Sequence, residues 1–274
     1  MNKHLCTITP THTNQHYLSE LWRFRELFWQ LTWKEILVRF RQTYIGFAWL
    51  VLRPFMLLSV LVLVFSFIAR FPSGDLPYPV FLLSALIPWQ FITAAIQSAS
   101  SRVVQYSGLV NKVYFPRVII PLSSVGASTL DFAIALVLLF GFMACFGYFP
   151  ILNLLLLPFM ILWGLMLISG VSFWIGSIGV FQRDVLHAIP ILSQLSLYLS
   201  PVIYPTSCIP YPWRYLFALN PLAGYLEAFR WVLLGSHTTP DLPAIIVSLA
   251  FSVFIFLTGF WFFRKQENIF ADII

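Results

Sequence analysis

The chain has 274 residues, of which 59% are hydrophobic and only 9% are charged. An ordinary soluble domain carries about 25% charged residues, so this composition excludes a soluble fold. The 28 Phe and 10 Trp also exclude intrinsic disorder. We therefore expect an integral membrane protein, whose net charge of +6 belongs to loops on the inner side of the membrane rather than to a nucleic-acid site.

The first 45 residues form a polar arm, and residues 46–274 form a membrane domain. No basic stretch followed by an apolar one begins near Met1, so no cleaved signal peptide is expected. Within the arm, basic and amide side chains recur on one helical face and apolar ones on another. The pattern predicts a helix on the inner membrane surface, acting as a lipid anchor or as a docking surface for a partner. Its members are Arg23, Gln30, Lys34 and Arg41 on the polar face, Phe24, Leu27, Phe28, Leu31 and Val38 on the apolar face, and Trp22, Trp29 and Trp33 as interfacial rings.

Six apolar runs are long enough to cross a membrane, because a span needs about 20 apolar residues. Six spans place both termini on one side, together with all but three of the 16 basic residues, as the positive-inside rule expects. The three exceptions are Arg70, Arg214 and Arg230. The runs cover residues 49–69, 80–99, 118–146, 154–180, 185–203 and 242–263.

A seventh apolar stretch, residues 216–234, contains Glu227 and Arg230. A full span there would move Arg264 and Lys265 to the outer side, against the positive-inside rule. We therefore expect a re-entrant segment beside a translocation pathway, because non-helical backbone at membrane depth must be buried in protein or line a wet cavity. A helix lying in the outer interface is the alternative. The i, i+3 spacing of Glu227 and Arg230 predicts an ion pair that fixes this segment.

The inner loop between the second and third spans, residues 101–117, is longer than a tight turn needs. It carries apolar and aromatic side chains beside only three charges, which predicts a short amphipathic helix with exposed aromatics that contacts another protein. A solvated connector that dips into the interface is the alternative. The side chains concerned are Leu109, Val110, Val113, Tyr114 and Phe115.

The motifs of a membrane enzyme are missing from the sequence. Its five histidines form no metal-binding pattern, and Cys6, Cys145 and Cys208 lie far apart, so neither a metal site nor a disulfide is expected. There is no phosphate-binding loop and no nucleophile elbow, so the chain is not expected to be an ATPase or any other enzyme. Asp131, in the middle of the third span, is expected to be a structural partner for another polar group, such as Arg53, or else to serve in an ion-coupled carrier.

Several stretches, taken together and in this order, resemble the permease subunits of type-2 ABC exporters for cell-surface polysaccharides. The Wzm-like permeases of O-antigen exporters are the most similar, and those for capsule and wall teichoic acid are near relatives. The stretches are RFRQTYIGFAWLVLRP (39–54), PYPVFL (77–82), IPWQF (87–91), LVNKVYFPR (109–117), SPVIYP (200–205), ALNPL (218–222), EAFR (227–230) and ENIFAD (267–272).

The resemblance implies an all-α fold of six spans, with an interface helix near 21–41, a coupling helix near 108–115 and re-entrant gate helices within 209–234. It also implies a homodimer in the bacterial inner membrane, both termini cytoplasmic, that exports polysaccharide linked to undecaprenyl diphosphate. Two separate subunits would bind the ATP and Mg, so no cofactor is expected in this chain. The residues concerned are Arg23, Lys34, Arg39 and Arg41 in the interface helix; Leu109, Val110, Asn111, Lys112, Val113, Tyr114 and Phe115 in the coupling helix; Trp49, Trp89, Tyr198 and Tyr204 along the pore; and Glu227 and Arg230 in the gate.

Three alternatives stay open at this point. One is a type-2 exporter of another cargo, such as capsule, teichoic acid, a lipid or a drug. The second is a membrane-embedded glycosyl- or acyltransferase, and the third is an ion-coupled carrier centred on Asp131.

Overall fold

The computed structural model describes residues 17–41, 48–68, 76–106, 108, 114–148, 153–235, 240–267, 269 and 270. These residues form helices joined by turns, with no strand among them, which confirms the predicted all-α fold. The α-helices are α1 (Tyr17–Arg23), α2 (Arg25–Arg41), α3 (Ala48–Val62), α4 (Tyr78–Gln105), α5 (Ile119–Cys145), α6 (Leu157–Phe181), α7 (Asp184–Leu199), α8 (Tyr211–Ala218), α9 (Pro221–Leu234) and α10 (Leu242–Glu267).

Among the described residues, four helices are long and apolar enough to cross a membrane: α4, α5, α10, and α6 together with the 3₁₀ turn Asn153–Leu156 that precedes it. Two shorter apolar helices, Val51–Ser66 and Asp184–Leu199, occupy the places of the predicted first and fifth spans. α7 has 16 residues. It therefore reaches about 24 Å, less than the hydrocarbon thickness of about 30 Å. The chain is a multi-pass membrane protein, and the count of six crossings stays a prediction.

α4 is the central helix of the bundle, buried along most of its length. It packs against α5, α6 and α9. The rings of Phe91 on α4 and Phe132 on α5 stack with centroids 4.2 Å apart, and Phe132 also contacts Phe229 on α9. The three helices are therefore joined through aromatic side chains at one level of the core.

At their crossing, α6 and α10 pack so closely that only glycine fits at the contact positions on each helix. A Cβ placed on Gly170 would lie 2.6 Å from the Cα of Phe256, and one on Gly259 would overlap the Gly170 carbonyl oxygen. Small residues of this kind let membrane helices approach backbone to backbone. The Trp163 indole also donates to the Ser252 hydroxyl at 2.9 Å, so van der Waals contact and a buried hydrogen bond hold the pair together.

The stretch 209–234, predicted to hold the re-entrant gate helices, contains the two helices α8 and α9. α8 and α9 have 8 and 14 residues, so neither is long enough to cross a membrane. The break falls at Asn220, whose side-chain oxygen accepts a hydrogen bond from the Leu222 amide at 3.0 Å, and Pro221 starts α9. Asparagine as N-cap followed by proline is a strong helix start, which explains the position of the break.

Candidate functional site

We call the end of the bundle that holds α2 and the last turns of α4 and α10 the inner end, following the predicted topology. The opposite end, which holds residues 200–234 and the start of α10, is called the outer end. Functional predictions from the sequence fall at both ends.

At the inner end, α1 and α2 form one nearly continuous helix laid against α5. Backbone hydrogen bonds from Phe24 to Glu20 and from Phe28 to Phe24 carry the helix across its bend. Leu31 is buried in an apolar cluster with Ile119 and Ile120, against which Phe28 also packs. The apolar face of α2 therefore packs against the start of α5, whereas its basic side chains are exposed on the opposite face.

The outward face of this interface helix carries Arg23, Lys34 and the three tryptophans, all exposed. Trp22 is 70% exposed and its ring lies beneath the Arg25 guanidinium, a pairing suited to a membrane–water boundary. Val38, which the sequence pattern places on the apolar face, is 58% exposed. The side chains of Arg39 and Arg41 lie outside the described residues.

Glu35 is an inner-end residue that the sequence reasoning missed. Its side chain is 1% exposed and its Oε1 lies 3.3 Å from Nε of Arg102, near the end of α4. The neighbouring Lys34 ammonium lies 5.1 Å from the centre of the Tyr106 ring. A signal was present, because Glu35 follows Leu31 by four residues and so falls on the apolar face of α2. A charge on that face requires a partner within the protein.

The predicted coupling residues are only partly described, since Leu109, Val110, Asn111, Lys112 and Val113 lie outside the described residues. Tyr114 is 54% exposed, as expected for a side chain that contacts another protein. Phe115 is only 3% exposed and belongs to the cluster under the interface helix. The prediction that Phe115 is an exposed docking residue is wrong, because the apolar face of α2 covers it.

Glu267, at the end of α10, ties three segments together at the inner end. Its Oε2 accepts a hydrogen bond from the Tyr17 hydroxyl at 3.2 Å, and its Oε1 accepts one from the backbone amide of Arg117. The Arg264 guanidinium lies 3.9 Å above the Tyr17 ring. Burial raises the pKa of Tyr17 far above its usual value, and the neighbouring Glu267 carboxylate raises it further. The hydroxyl therefore stays protonated and remains a donor.

At the outer end, Arg230 donates hydrogen bonds to the carbonyl groups of a buried, non-helical stretch of backbone. α7 ends at Leu199, and the chain continues through residues 200–203, all buried. Nη2 of Arg230 donates to the carbonyl oxygens of Pro201 at 2.9 Å and Val202 at 3.0 Å. The Tyr78 hydroxyl donates to the next carbonyl, Ile203, at 3.0 Å. Backbone removed from water must find such partners, so Arg230 and Tyr78 allow the chain to leave the helix inside the protein.

Glu227 forms its hydrogen bonds with groups other than Arg230, and no close salt bridge joins the two among the described residues, although their charges attract each other. The Oε1 of Glu227 accepts hydrogen bonds from the Thr206 hydroxyl at 3.0 Å and the Asp241 amide at 3.2 Å. Each charge therefore fastens a separate piece of chain to α9. Burial raises the pKa of the Glu227 carboxyl above its ordinary value, while the two hydrogen bonds lower it.

An open cleft of about 590 Å³ lies between the end of α7 and the helix α8. Tyr204, Trp213 and Phe217 line it together with Leu199 and aliphatic residues. The Tyr204 and Phe217 ring centroids are 6.4 Å apart, and Trp213 is 60% exposed. Only Tyr204 of these rings belongs to the predicted pore set. Trp213 and Phe217 share a face of α8 by their i, i+4 spacing, a signal that was available in the sequence.

The other three aromatic residues predicted to line the pore, Trp49, Trp89 and Tyr198, do not line this cleft. Trp89 is 8% exposed and its indole donates to the Ser196 hydroxyl at 2.9 Å, so it joins α4 to α7 and lines no open path in this structure. Trp49 is exposed on α3, and Tyr198 is exposed on α7 with its carbonyl accepting the Tyr204 hydroxyl. A shared pore lining of all four residues stays a prediction.

The expected pairing of Asp131 with another polar group, such as Arg53, stays a prediction. Arg53 is exposed on α3, and Asp131 is half-buried on α5 and takes part in an interaction.

These features together define a polytopic membrane permease. Four of its apolar helices are long enough to cross a bilayer, the helix α2 lies along one end, and helices too short to span occupy the other. The profile of the ABC-2 type transporter family matches residues 26–234, three quarters of the chain, and the chain belongs to this family.

Relatives of known function extend over nearly the whole chain. It is 27% identical over 258 residues to the O-antigen export system permease protein RfbA of Myxococcus xanthus, which covers 93% of this chain and 98% of the relative. The protein of the same name from Klebsiella pneumoniae is 24% identical over 89% of this chain and 93% of its own length. The polysialic acid transport protein KpsM of Escherichia coli is 28% identical over 86% of this chain and 91% of its own length. All three are transport proteins by name rather than enzymes.

Proposed function

We propose that this chain is the permease subunit of an exporter that moves a cell-surface polysaccharide, of the O-antigen type, outward across the bacterial inner membrane. The observation that carries the proposal is the end-to-end similarity to the Myxococcus permease, which leaves only 2% of that relative uncovered. Similarity along nearly the whole length supports a conduit built from the same part of the chain as in that transport subunit. The cargo is a polysaccharide linked to undecaprenyl diphosphate, whose lipid tail stays in the bilayer.

The power for transport comes from a separate subunit. Two ATPase subunits bind ATP and Mg beneath a homodimer of this chain, whose termini both face the cytoplasm. They dock on the segment around Tyr114, which is exposed at the inner end, and the chain itself performs no catalysis.

The outer end supplies the exit. The cleft formed by Tyr204, Trp213 and Phe217 presents flat aromatic surfaces of the kind on which pyranose rings stack. A wet, aromatic-lined path costs a hydroxyl-rich glycan less desolvation than the lipid interior would. Glu227 and Arg230 hold the helices that border this exit in place.

Reconstitution tests the proposal. The chain is purified with its co-expressed ATPase, placed in vesicles with a lipid-linked glycan on the ATPase side, and the glycan reaching the opposite side is measured. Export should require ATP and should stop when the phosphate-binding lysine of the ATPase is replaced, a control that leaves the permease unchanged. Glycan transport by the chain alone, or glycosyl transfer by the purified chain, would contradict the proposal.

A capsule cargo is the second candidate, favoured by the similarity to the polysialic acid transport protein. Deleting the gene distinguishes the two. Loss of surface O-antigen with the capsule intact supports the first, and the reverse supports the second.

A further inference from the structure

Three tryptophans form an exposed line along α1 and α2, which we call the tryptophan row. Trp22, Trp29 and Trp33 are 70%, 66% and 59% exposed. Their spacing of seven and four residues keeps them within about 40° of one another around the helix axis, over a length of about 16 Å. A contiguous row of large exposed rings marks an interaction surface.

Basic side chains run beside the tryptophan row. Arg23 and Lys34 are both exposed and share one side of the helix, about 100° from the tryptophans by their positions in the sequence. Arg25 lies on the other flank, with its guanidinium 5.3 Å from the centre of the Trp22 ring. Glu26 is an exposed carboxylate on the same face. The described exposed charges of α1 and α2 are therefore three cations and one acid, so this face is positive.

The end of α10 locates the membrane boundary beside this face. Phe254, Leu257 and Trp261 follow one another along the outward side of this long apolar helix, and all three are exposed. Lys265 comes one turn after Trp261, and its ammonium lies 5.3 Å from the centre of that ring. Apolar side chains that give way to a tryptophan and then to a lysine are typical of the level where acyl chains meet headgroups.

The helix α1 begins at this same level. The Tyr17 ring packs edge-on against that of Phe260 on α10, with centroids 6.1 Å apart, and its hydroxyl donates to Glu267. Because Trp22 follows Tyr17 by less than two helical turns, the tryptophan row starts close to the membrane boundary.

The apolar face of the interface helix is not available to lipid. Leu31 is buried in the cluster with Ile119 and Ile120, and Phe24, Leu27 and Phe28 pack against the same cluster. A membrane surface can therefore meet this helix only through the tryptophan row and the basic side chains beside it.

We propose that the interface helix binds anionic phospholipids of the inner leaflet. The tryptophan row rests where headgroups meet acyl chains, and Arg23, Arg25 and Lys34 bind the negative headgroups. A basic side chain near an anionic surface favours that surface by about fivefold. The inference does not depend on the proposed function, because lipid binding requires neither cargo nor ATP.

Quenching of tryptophan fluorescence by brominated phospholipids measures this binding on the full chain. The chain is reconstituted in phosphatidylcholine vesicles that contain increasing fractions of brominated phosphatidylglycerol or, in parallel, of brominated phosphatidylcholine. Subtracting the emission of Trp29→Phe, made in each background, isolates the signal of Trp29 in the middle of the row, and Phe keeps an aromatic ring there. The ratio of the two quenching constants is the preference for the anionic lipid.

We expect the wild type to prefer the anionic lipid at Trp29 about fivefold or more, the effect of one uncompensated charge. Salt at about 1 M should remove most of this preference, because it shortens the Debye length to about 3 Å. The double variant Arg23→Gln/Lys34→Gln should bring the ratio close to one, whereas Glu26→Gln should raise it. The matched control Arg183→Gln, at an exposed cation outside this helix, should leave the ratio unchanged.

Equal quenching of Trp29 by the two lipids in the wild type overturns the proposal, and so does quenching by neither. A preference that survives in the double variant assigns the binding to other residues and also overturns it. Loss of the quenching when a co-purified ATPase is added shows that the face belongs to a protein partner, with the same consequence. If the double variant loses helix content, the salt series on the wild type decides, and a preference that salt leaves unchanged overturns the proposal.

Discussion

Arg230 provides the sharpest test of how the outer end is held together. Replacing it with Met keeps the length and flexibility of the side chain but removes the guanidinium. The carbonyl oxygens of Pro201 and Val202 then lose their donor while they remain buried. The contact of the guanidinium with the Phe81 ring, 3.9 Å away, also loses its charge.

The expected cost follows from these contacts. Two hydrogen bonds from a charged donor contribute about 1.5–3 kcal/mol each, and a desolvated cation–π contact about 2 kcal/mol. Against this, the variant no longer buries a charge, which recovers several kcal/mol. We expect a net destabilisation of about 3 kcal/mol, which is about a hundredfold in the unfolding equilibrium constant. Arg230→Lys should recover about half of this, because an ammonium lacks the planar fork that reaches two carbonyls at once.

Reversible unfolding in mixed micelles, with the mole fraction of sodium dodecyl sulfate as the denaturant and helix content as the signal, measures the difference. Arg183→Met, at an exposed position before α7, is the matched control and should change stability by no more than about 0.5 kcal/mol. If the free energy of unfolding of Arg230→Met equals that of Arg183→Met, the carbonyls of residues 201 and 202 have other hydrogen-bond donors and the reasoning is wrong.

Three further predictions address packing, docking and pH. Gly170→Ala should destabilise the chain by about 1–3 kcal/mol in the same assay, because the added methyl meets backbone of α10, whereas Gly141→Ala, with open space around it, should be neutral or stabilising. Phe115→Ala should cost about 3–5 kcal/mol of stability. Tyr114→Ala should leave stability unchanged and weaken ATPase binding in a pull-down; equal stability of the two variants would contradict their assigned positions. The raised pKa of Glu227 gives the outer end stability that is fully present below the carboxyl's ordinary value of 4.5 and is lost as pH rises through the folded-state pKa. Glu227→Gln should remove this dependence from unfolding curves measured between acidic and neutral pH, and a dependence that survives the substitution would assign it to another group.

The long helices were predictable because their signal is local. Each apolar run that became α4, α5, α6 or α10 is long enough by itself to specify a span. The N-cap Asn220 followed by Pro221 likewise marks the start of α9 within the sequence. Even so, α7 ends at Leu199, earlier than the apolar run 185–203 suggests, because Ser200 and Pro201 leave the helix while staying buried.

The partners of charged side chains were not predictable, since they lie far apart in the chain. Spacing along α9 suggests that Glu227 bonds Arg230, yet each finds a better-placed partner across the fold. Glu35 and Arg102 are brought together only when α2 is laid across the bundle. The same placement buries Phe115, whose neighbours in the sequence suggest exposure. Tertiary packing, rather than local pattern, decides these cases.

The glycine crossing of α6 and α10 has a mechanical consequence. Two helices whose main chains touch cannot slide or rotate against each other without a collision of backbone atoms, so they behave as one stiff plate. An opening that admits the cargo must therefore come from movement of helices other than α6 and α10 against each other. The crossing is thus a fixed reference within the membrane domain, relative to which the rest of the bundle can rearrange.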